Sequence, residues 1–89
     1  MAKYKVTFTR SARKELEALA DNIVNVIFPK IENLSLAPRP VGCRKLVGNK
    51  FLWRIRSGNY RIIYAIHDDI KTVDIIAVRD RKEAYQQLK

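Results

Sequence analysis

Histidine and cysteine are almost missing from this sequence: 89 residues contain one of each, His67 and Cys43. A single thiol excludes an internal disulfide, and the pair is too few soft ligands for a zinc site, so no metal or cofactor is expected. With no second histidine to activate it, Cys43 reads as a packing or surface residue. His67 stands beside Asp68 and Asp69 and reads as part of a turn rather than as a catalyst. Glycine is also scarce, three in all, and no Gly-rich phosphate loop is present. Long apolar runs are absent too, which argues against a membrane span and a membrane partner. The first residues, Met1-Ala2-Lys3-Tyr4-Lys5-Val6-Thr7-Phe8, alternate where a secretory signal would be continuously apolar, so a cytoplasmic location is expected.

Acidic residues are the most informative shortage. Nine stand against eighteen Lys and Arg, for a net charge of +9, and none lies between Asn33 and His67. That segment holds Arg39, Arg44, Lys45, Lys50, Arg54, Arg56 and Arg61. So concentrated a positive field favours a polyanion, with nucleic acid first and an acidic protein second. A merely solvated basic surface is equally compatible with charge alone.

Hydrophobic residues at 47 % and charged residues at 30 % are ordinary for a globular chain, and there is no repeat or low-complexity linker. Residues 1–89 read as one domain, with a core modest enough that a bound partner would matter to its stability. Tyr4, Val6 and Phe8 alternate with polar neighbours over residues 3–9, which predicts a strand. Thr9 or Ser11 can cap a helix whose apolar stripe is Ala12, Leu16, Leu19 and Ala20, with Glu15 and Glu17 near its start. Asp21 offers a second cap before Ile23, Ile27, Ile31 and Leu34, and Ala37-Pro38-Arg39-Pro40 ends this second helix. Pro29 predicts a kink or break inside it.

From Phe51 the period turns to alternation. Strands are expected at Phe51–Arg56, Tyr60–Ile66 and Lys71–Arg79, separated by turns at Ser57-Gly58-Asn59 and His67-Asp68-Asp69, with a short helix over Lys82–Leu88. The predicted class is α+β: an N-terminal strand, a helical hairpin, a three-stranded antiparallel meander and a C-terminal helix.

Alternation also sorts side chains by face. Arg54 and Arg56 point together and away from Trp53 and Ile55, which are expected to enter the core. Arg61 shares its face only with Ile63 and Ala65, and an internal ion pair with Asp74 or Asp80 is as good an explanation as a functional one. Arg79 is placed on the face of Val73, Ile75 and Ala77, where an antiparallel neighbour could bring it near Arg61. Arginines with a tyrosine, and without histidine or paired acids, suit neither acyl transfer nor glycoside hydrolysis. They suit phosphodiester chemistry, in which charge builds on phosphate oxygens that guanidinium forks can hold. Tyr85 could act as a general base if Arg79 and Arg81 depress its pKa.

Leu46-Val47-Gly48, followed by Leu52-Trp53-Arg54-Ile55-Arg56-Ser57-Gly58-Asn59-Tyr60-Arg61-Ile62-Ile63-Tyr64, resembles the central block of the RelE/ParE toxin family. Ala77-Val78-Arg79-Asp80-Arg81-Lys82-Glu83-Ala84-Tyr85 resembles its C-terminus. The first strand, the helical hairpin and Pro38 fall in the family's order, so the likeness covers essentially the whole chain.

The resemblance implies a cytosolic toxin wrapped by a cognate RelB-like antitoxin and meeting operator DNA only through that complex. RelE-like members enter the ribosomal A site among ribosomal RNA and cut messenger RNA, the 2′-hydroxyl attacking the adjacent phosphate to leave a cyclic phosphate. On that pattern Arg61 stabilises the transition state, Arg79 is the second phosphate-binding arginine and Tyr85 assists the reaction. Arg54, Arg56, Lys45, Lys50 and Arg81 are expected to bind RNA. Close relatives carry lysines at the positions of Arg54 and Arg56; arginine holds its proton too firmly for acid–base work, which shifts that work to Tyr85. The histidine-dependent branch is excluded because no histidine follows His67. ParE-like members share the fold but poison DNA gyrase; a degenerate toxin kept as a repressor component is a third possibility.

Overall fold

The computed structural model describes residues 3–46, 48 and 51–80. The elements run β1 (Lys5–Phe8), α1 (Arg10–Glu17), α2 (Asp21–Asn33), β2 (Arg44–Lys45), β3 (Leu52–Ser57), β4 (Tyr60–His67) and β5 (Thr72–Asp80). The predicted C-terminal helix lies outside the described residues. The five strands form one mixed sheet in the order β1-β5-β4-β3-β2. β3, β4 and β5 make the expected antiparallel meander, while β1 crosses over to pair parallel with β5. The sheet is α+β as expected, but β2 had no periodic signal, since two consecutive basic residues carry no alternation to read.

Thr9 caps α1, its hydroxyl accepting from the Ala12 N–H at 3.0 Å. The helix closes at Glu17, so Glu15 and Glu17 lie in its last turn rather than near its start. Leu19 and Ala20 fall beyond it, although Leu16 and Leu19 still pack on the core. Ala20, not Asp21, is the N-cap of α2 and makes no side-chain cap bond. Asp21 sits one position inside, where its charge faces the helix dipole instead. Of the kink or break expected at Pro29, there is no break: α2 runs through it as one helix. An internal proline costs ~3 kcal/mol, but Ile27 and Ile31 on either side are buried. Burying each contributes roughly 1.5–3 kcal/mol, enough to hold the helix together.

Both helices cover one face of the sheet. Ala12, Ile27, Ile31 and Leu34 meet Ile55, Ile62, Tyr64, Ile66, Val73, Ile75 and Val78 there, and Trp53 joins them as expected. The opposite face carries a smaller cluster around Ile63 and Ala77, edged by Leu46, Leu52 and Ile76. The linker after α2 is tied down by the Tyr64 hydroxyl, which donates to the Pro38 carbonyl at 2.7 Å; burial pushes that phenol up from its ordinary pKa. Arg39 lies 5.1 Å from the centre of the Trp53 ring and pairs with Asp68 at 2.8 Å. Hydrogen bonds from Arg39 and Tyr4 hold the Asp68 carboxyl down to about 2.

A cationic sheet face as the candidate functional site

Strand pairing decides which cations meet. Gly58 adopts the left-handed conformation (φ 60°) in the two-residue turn between Ser57 and Tyr60, which sets Arg56 opposite Arg61. In the next ladder Arg61 stands opposite Arg79. Three arginines therefore lie abreast across β3, β4 and β5. One step along the same face Arg54 faces Ile63, and Ile63 faces Ala77. β2 adds Arg44 opposite Arg54.

The route by which Arg79 reaches this face differs from simple alternation. Ile63 pairs with Ala77 but Tyr64 with Ile75, so the ladder shifts and Ile76 is the extra residue of a bulge. Val73 and Ile75 face the helices before it, and Val78 does so after it. Arg79 thus shares a face with Ala77 but not with Val73 or Ile75, a correction to the alternation reading. The bulge is what puts Arg79 on the face of Arg61.

Burial separates the members of the row. Arg61 is only 3 % exposed and Arg54 8 %, so Arg54, although it points away from Trp53 and Ile55, is sunk in its face, while Arg56 is exposed. Nε and Nη1 of Arg61 are out of contact with solvent. Arg79 is half-buried, and its Nε donates to Glu15 Oε2 at 2.6 Å. Asp74, one of the two carboxylates considered for Arg61, accepts instead from the Thr7 hydroxyl at 2.9 Å and stands opposite Ala65. A small cleft of about 40 Å³ is lined by Arg56, Gly58, Asn59, Tyr60 and Arg61. A wider one of about 330 Å³ is lined by Val41, Gly42, Arg44, Arg54, Ile55 and Arg56. The two share Arg56, so the clefts are neighbours along one basic surface.

Like charges set directly opposite on adjacent strands destabilise a sheet. Five arginines on one face therefore make a place where an anion with several oxygens is favoured, each guanidinium offering a planar fork of donors. Among the described residues no group of three or more His, Cys, Asp or Glu is placed to hold a metal ion.

Of the residues singled out from sequence, Arg54, Arg56, Arg61 and Arg79 come together. Lys45 does not: it stands opposite Trp53, across the sheet from Arg54. Lys50, Arg81 and Tyr85 lie outside the described residues. Sequence reasoning did not mark Arg44 or Glu15 as part of a site. Arg44 lies in a strand too short for periodicity, and Glu15 is brought to β5 by a contact spanning 64 residues.

Fold and face together define a small basic α+β protein with helices on one side of its sheet and arginines on the other. The family described as ParE toxin of type II toxin–antitoxin system, parDE, matches residues 6–85. The chain is 34 % identical over 88 residues to Toxin RelG of Mycobacterium tuberculosis, covering 94 % of this chain and 98 % of the relative. A toxin–antitoxin complex, RelBE2 of M. tuberculosis, contains a chain with a TM-score of 0.76 at 30 % identity, over 89 % of this chain and 99 % of that one. A mutant of E. coli toxin RelE in the free state gives 0.78 at 27 %, over 96 % and 93 %. The protein belongs to the RelE/ParE family of toxins of type II toxin–antitoxin systems.

Proposed function

We propose that this toxin is a ribosome-dependent endoribonuclease that cuts messenger RNA in the A site of the cytoplasmic ribosome, and that a cognate RelB-like antitoxin holds it inactive. The observation that carries the reading is the placement of Arg61 directly opposite Arg79, with Arg56 in the same row. Its similarity to RelG and to toxins solved as RelB–RelE complexes supports both parts.

The reaction follows from the groups available. The 2′-hydroxyl of one nucleotide attacks the adjacent phosphorus, forming a 2′,3′-cyclic phosphate as the bond to the 5′-oxygen of the next nucleotide breaks. Negative charge grows on the non-bridging oxygens, and the Arg61 and Arg79 guanidiniums stabilise it there. Arg61, fixed by burial, is oriented before substrate arrives, which lowers the cost of ordering it during the reaction. The proton leaving the 2′-hydroxyl must reach the departing 5′-oxygen, and Tyr85 is the group assigned to that transfer. Arg54, Arg56, Lys50 and Arg81 hold the flanking RNA backbone; Lys45, on the other side of the sheet, has at most an edge contact. The same cationic face is the natural docking surface for a more acidic antitoxin, whose complex is the route to operator DNA.

Primer extension on a defined message in a purified translation system, wild type beside Arg61→Ala, tests this. Cuts within A-site codons that fall by about 100- to 1000-fold in the variant are expected, the range for loss of one preorganised donor at a developing oxyanion. An intact message together with inhibited gyrase would move the protein to the ParE-like branch, a reading kept in view by the family match over residues 6–85.

A further inference from the structure

β5 outruns its parallel neighbour. Pairing with β1 stops at Phe8 opposite Ile75, yet β5 continues to Asp80. Along the edge that β1 leaves uncovered, Thr9 takes over first: its N–H donates to the Ile75 carbonyl at 3.0 Å and its hydroxyl to the Ile76 carbonyl at 3.0 Å. Glu15, in the last turn of α1, comes next. Its Oε1 accepts from the Val78 N–H at 3.0 Å, and its Oε2 accepts from Arg79 Nε at 2.6 Å. One carboxylate thus grips the backbone of β5 and the adjacent side chain at once. The ion pair is shielded, with the Arg79 and Glu15 side chains 16 % and 27 % exposed. Its length is that of a strong charge-assisted bond.

We infer that Glu15 is a positioning residue for Arg79. An arginine side chain has several freely rotating bonds, and its fork is useful only when aimed. A carboxylate on Nε, anchored to the same strand through Val78, fixes the plane of the guanidinium beside Arg61 and leaves the direction of its outer edge determined. The α1 capping bond at Thr9 and the bulge at Ile76 are parts of the same device, since both set where Glu15 and Arg79 meet. This inference rests on the ribonuclease reading above and adds a residue to it.

Glu15→Gln separates the two grips: the amide oxygen can still accept from Val78, but the negative charge on Arg79 is gone. In single-turnover cleavage of ribosome-bound message, Glu15→Gln is expected to lower the maximal rate about 10-fold while leaving the half-saturating toxin concentration unchanged, the pattern of lost orientation. In an Arg79→Ala background the same substitution should change nothing further. The Arg79 Nε–H resonance in nitrogen-15 NMR, assigned by its loss in Arg79→Lys, should lie downfield in the wild type and move to the exposed-arginine position in Glu15→Gln. Equal rates for Glu15→Gln and wild type, or an equal further loss in the Arg79→Ala background, would overturn the inference by reducing Glu15 to a stability contact. An Nε–H resonance unmoved by Glu15→Gln overturns it whether or not the wild type cleaves. A wild type that leaves message intact, with the resonance moving as expected, defeats the ribonuclease reading while keeping the Glu15–Arg79 grip.

Discussion

The two faces of the sheet are made from the same strands, one residue out of step. On one side Ile55, Ile62, Tyr64 and Ile66 are buried against the helices; on the other, Arg54, Arg56 and Arg61 stand at the alternate positions. The first face is self-sufficient, because every side chain in it gains by leaving water. The second concentrates like charge and is stabilised by whatever negative charge it can gather. Stability and anion recognition are thus assigned to opposite sides of three strands, which allows either to be changed with little effect on the other.

Substitutions that respect this division should have separable effects. Ile75→Ala, fully buried in the core on the helix side of the sheet, is expected to lower the unfolding free energy by about 2–5 kcal/mol in urea titration, a large fraction of what a domain of this size has. Arg61→Ala, the change that the ribonuclease reading expects to abolish cleavage, should by contrast lower the urea midpoint less than Ile75→Ala does, since it leaves the apolar face against the helices intact. A midpoint as low as that of Ile75→Ala would show that the arginine face also supports the fold and would break the comparison. Thr9→Ala removes the cap of α1 and a bond to β5, and should cost about 1 kcal/mol in the same titration.

The smallest effect concerns the tie between the α2 linker and the β4–β5 turn. Asp68 is held down to about 2 when folded, first by the hydrogen bond from Arg39 and then by that from Tyr4, while in the unfolded chain it titrates near its ordinary value of about 3.9. The unfolded state therefore binds the proton first as pH falls, so the contribution of this group is present above about pH 4 and fades as pH drops toward 2. Asp68→Asn should abolish that part of the acid sensitivity, with wild-type and variant urea midpoints converging below pH 2. Persistent separation there would assign the difference to packing.

Much of this was legible from residue order alone. The meander needed only alternation and turn residues, and Arg61 could be assigned to the face away from Tyr64 because β4 has no irregularity along its own length. Alternation brings Arg79 near Arg61 and onto the face of Ala77, but it wrongly adds Val73 and Ile75, because a bulge is one unpaired residue and leaves no periodic trace. Glu15 looks like an acid near a helix start when the apolar stripe is followed to Ala20, whereas α1 closes at Glu17; its partner lies 64 residues away, and no local pattern announces so distant a contact. Lys45 and Arg44 exchanged roles for a similar reason, since the register of a two-residue strand is set by its neighbour in the sheet. Lys50, Arg81 and Tyr85 remain expectations carried by the family resemblance.

The parallel seam between β1 and β5 has a consequence for how the chain comes into being. β1 is the first of the described strands in chain order, and its neighbour in the sheet, β5, is the last of them. Until Thr72–Ile75 has been made, Lys5–Phe8 has no ladder to join, and α1 lacks the strand edge to which Thr9 and Glu15 attach. Closing so long a loop makes folding comparatively slow. A nascent copy is therefore incomplete until β5 emerges, and a message broken before β5 would yield a fragment in which Arg79 was never made and Arg61 has no opposite number.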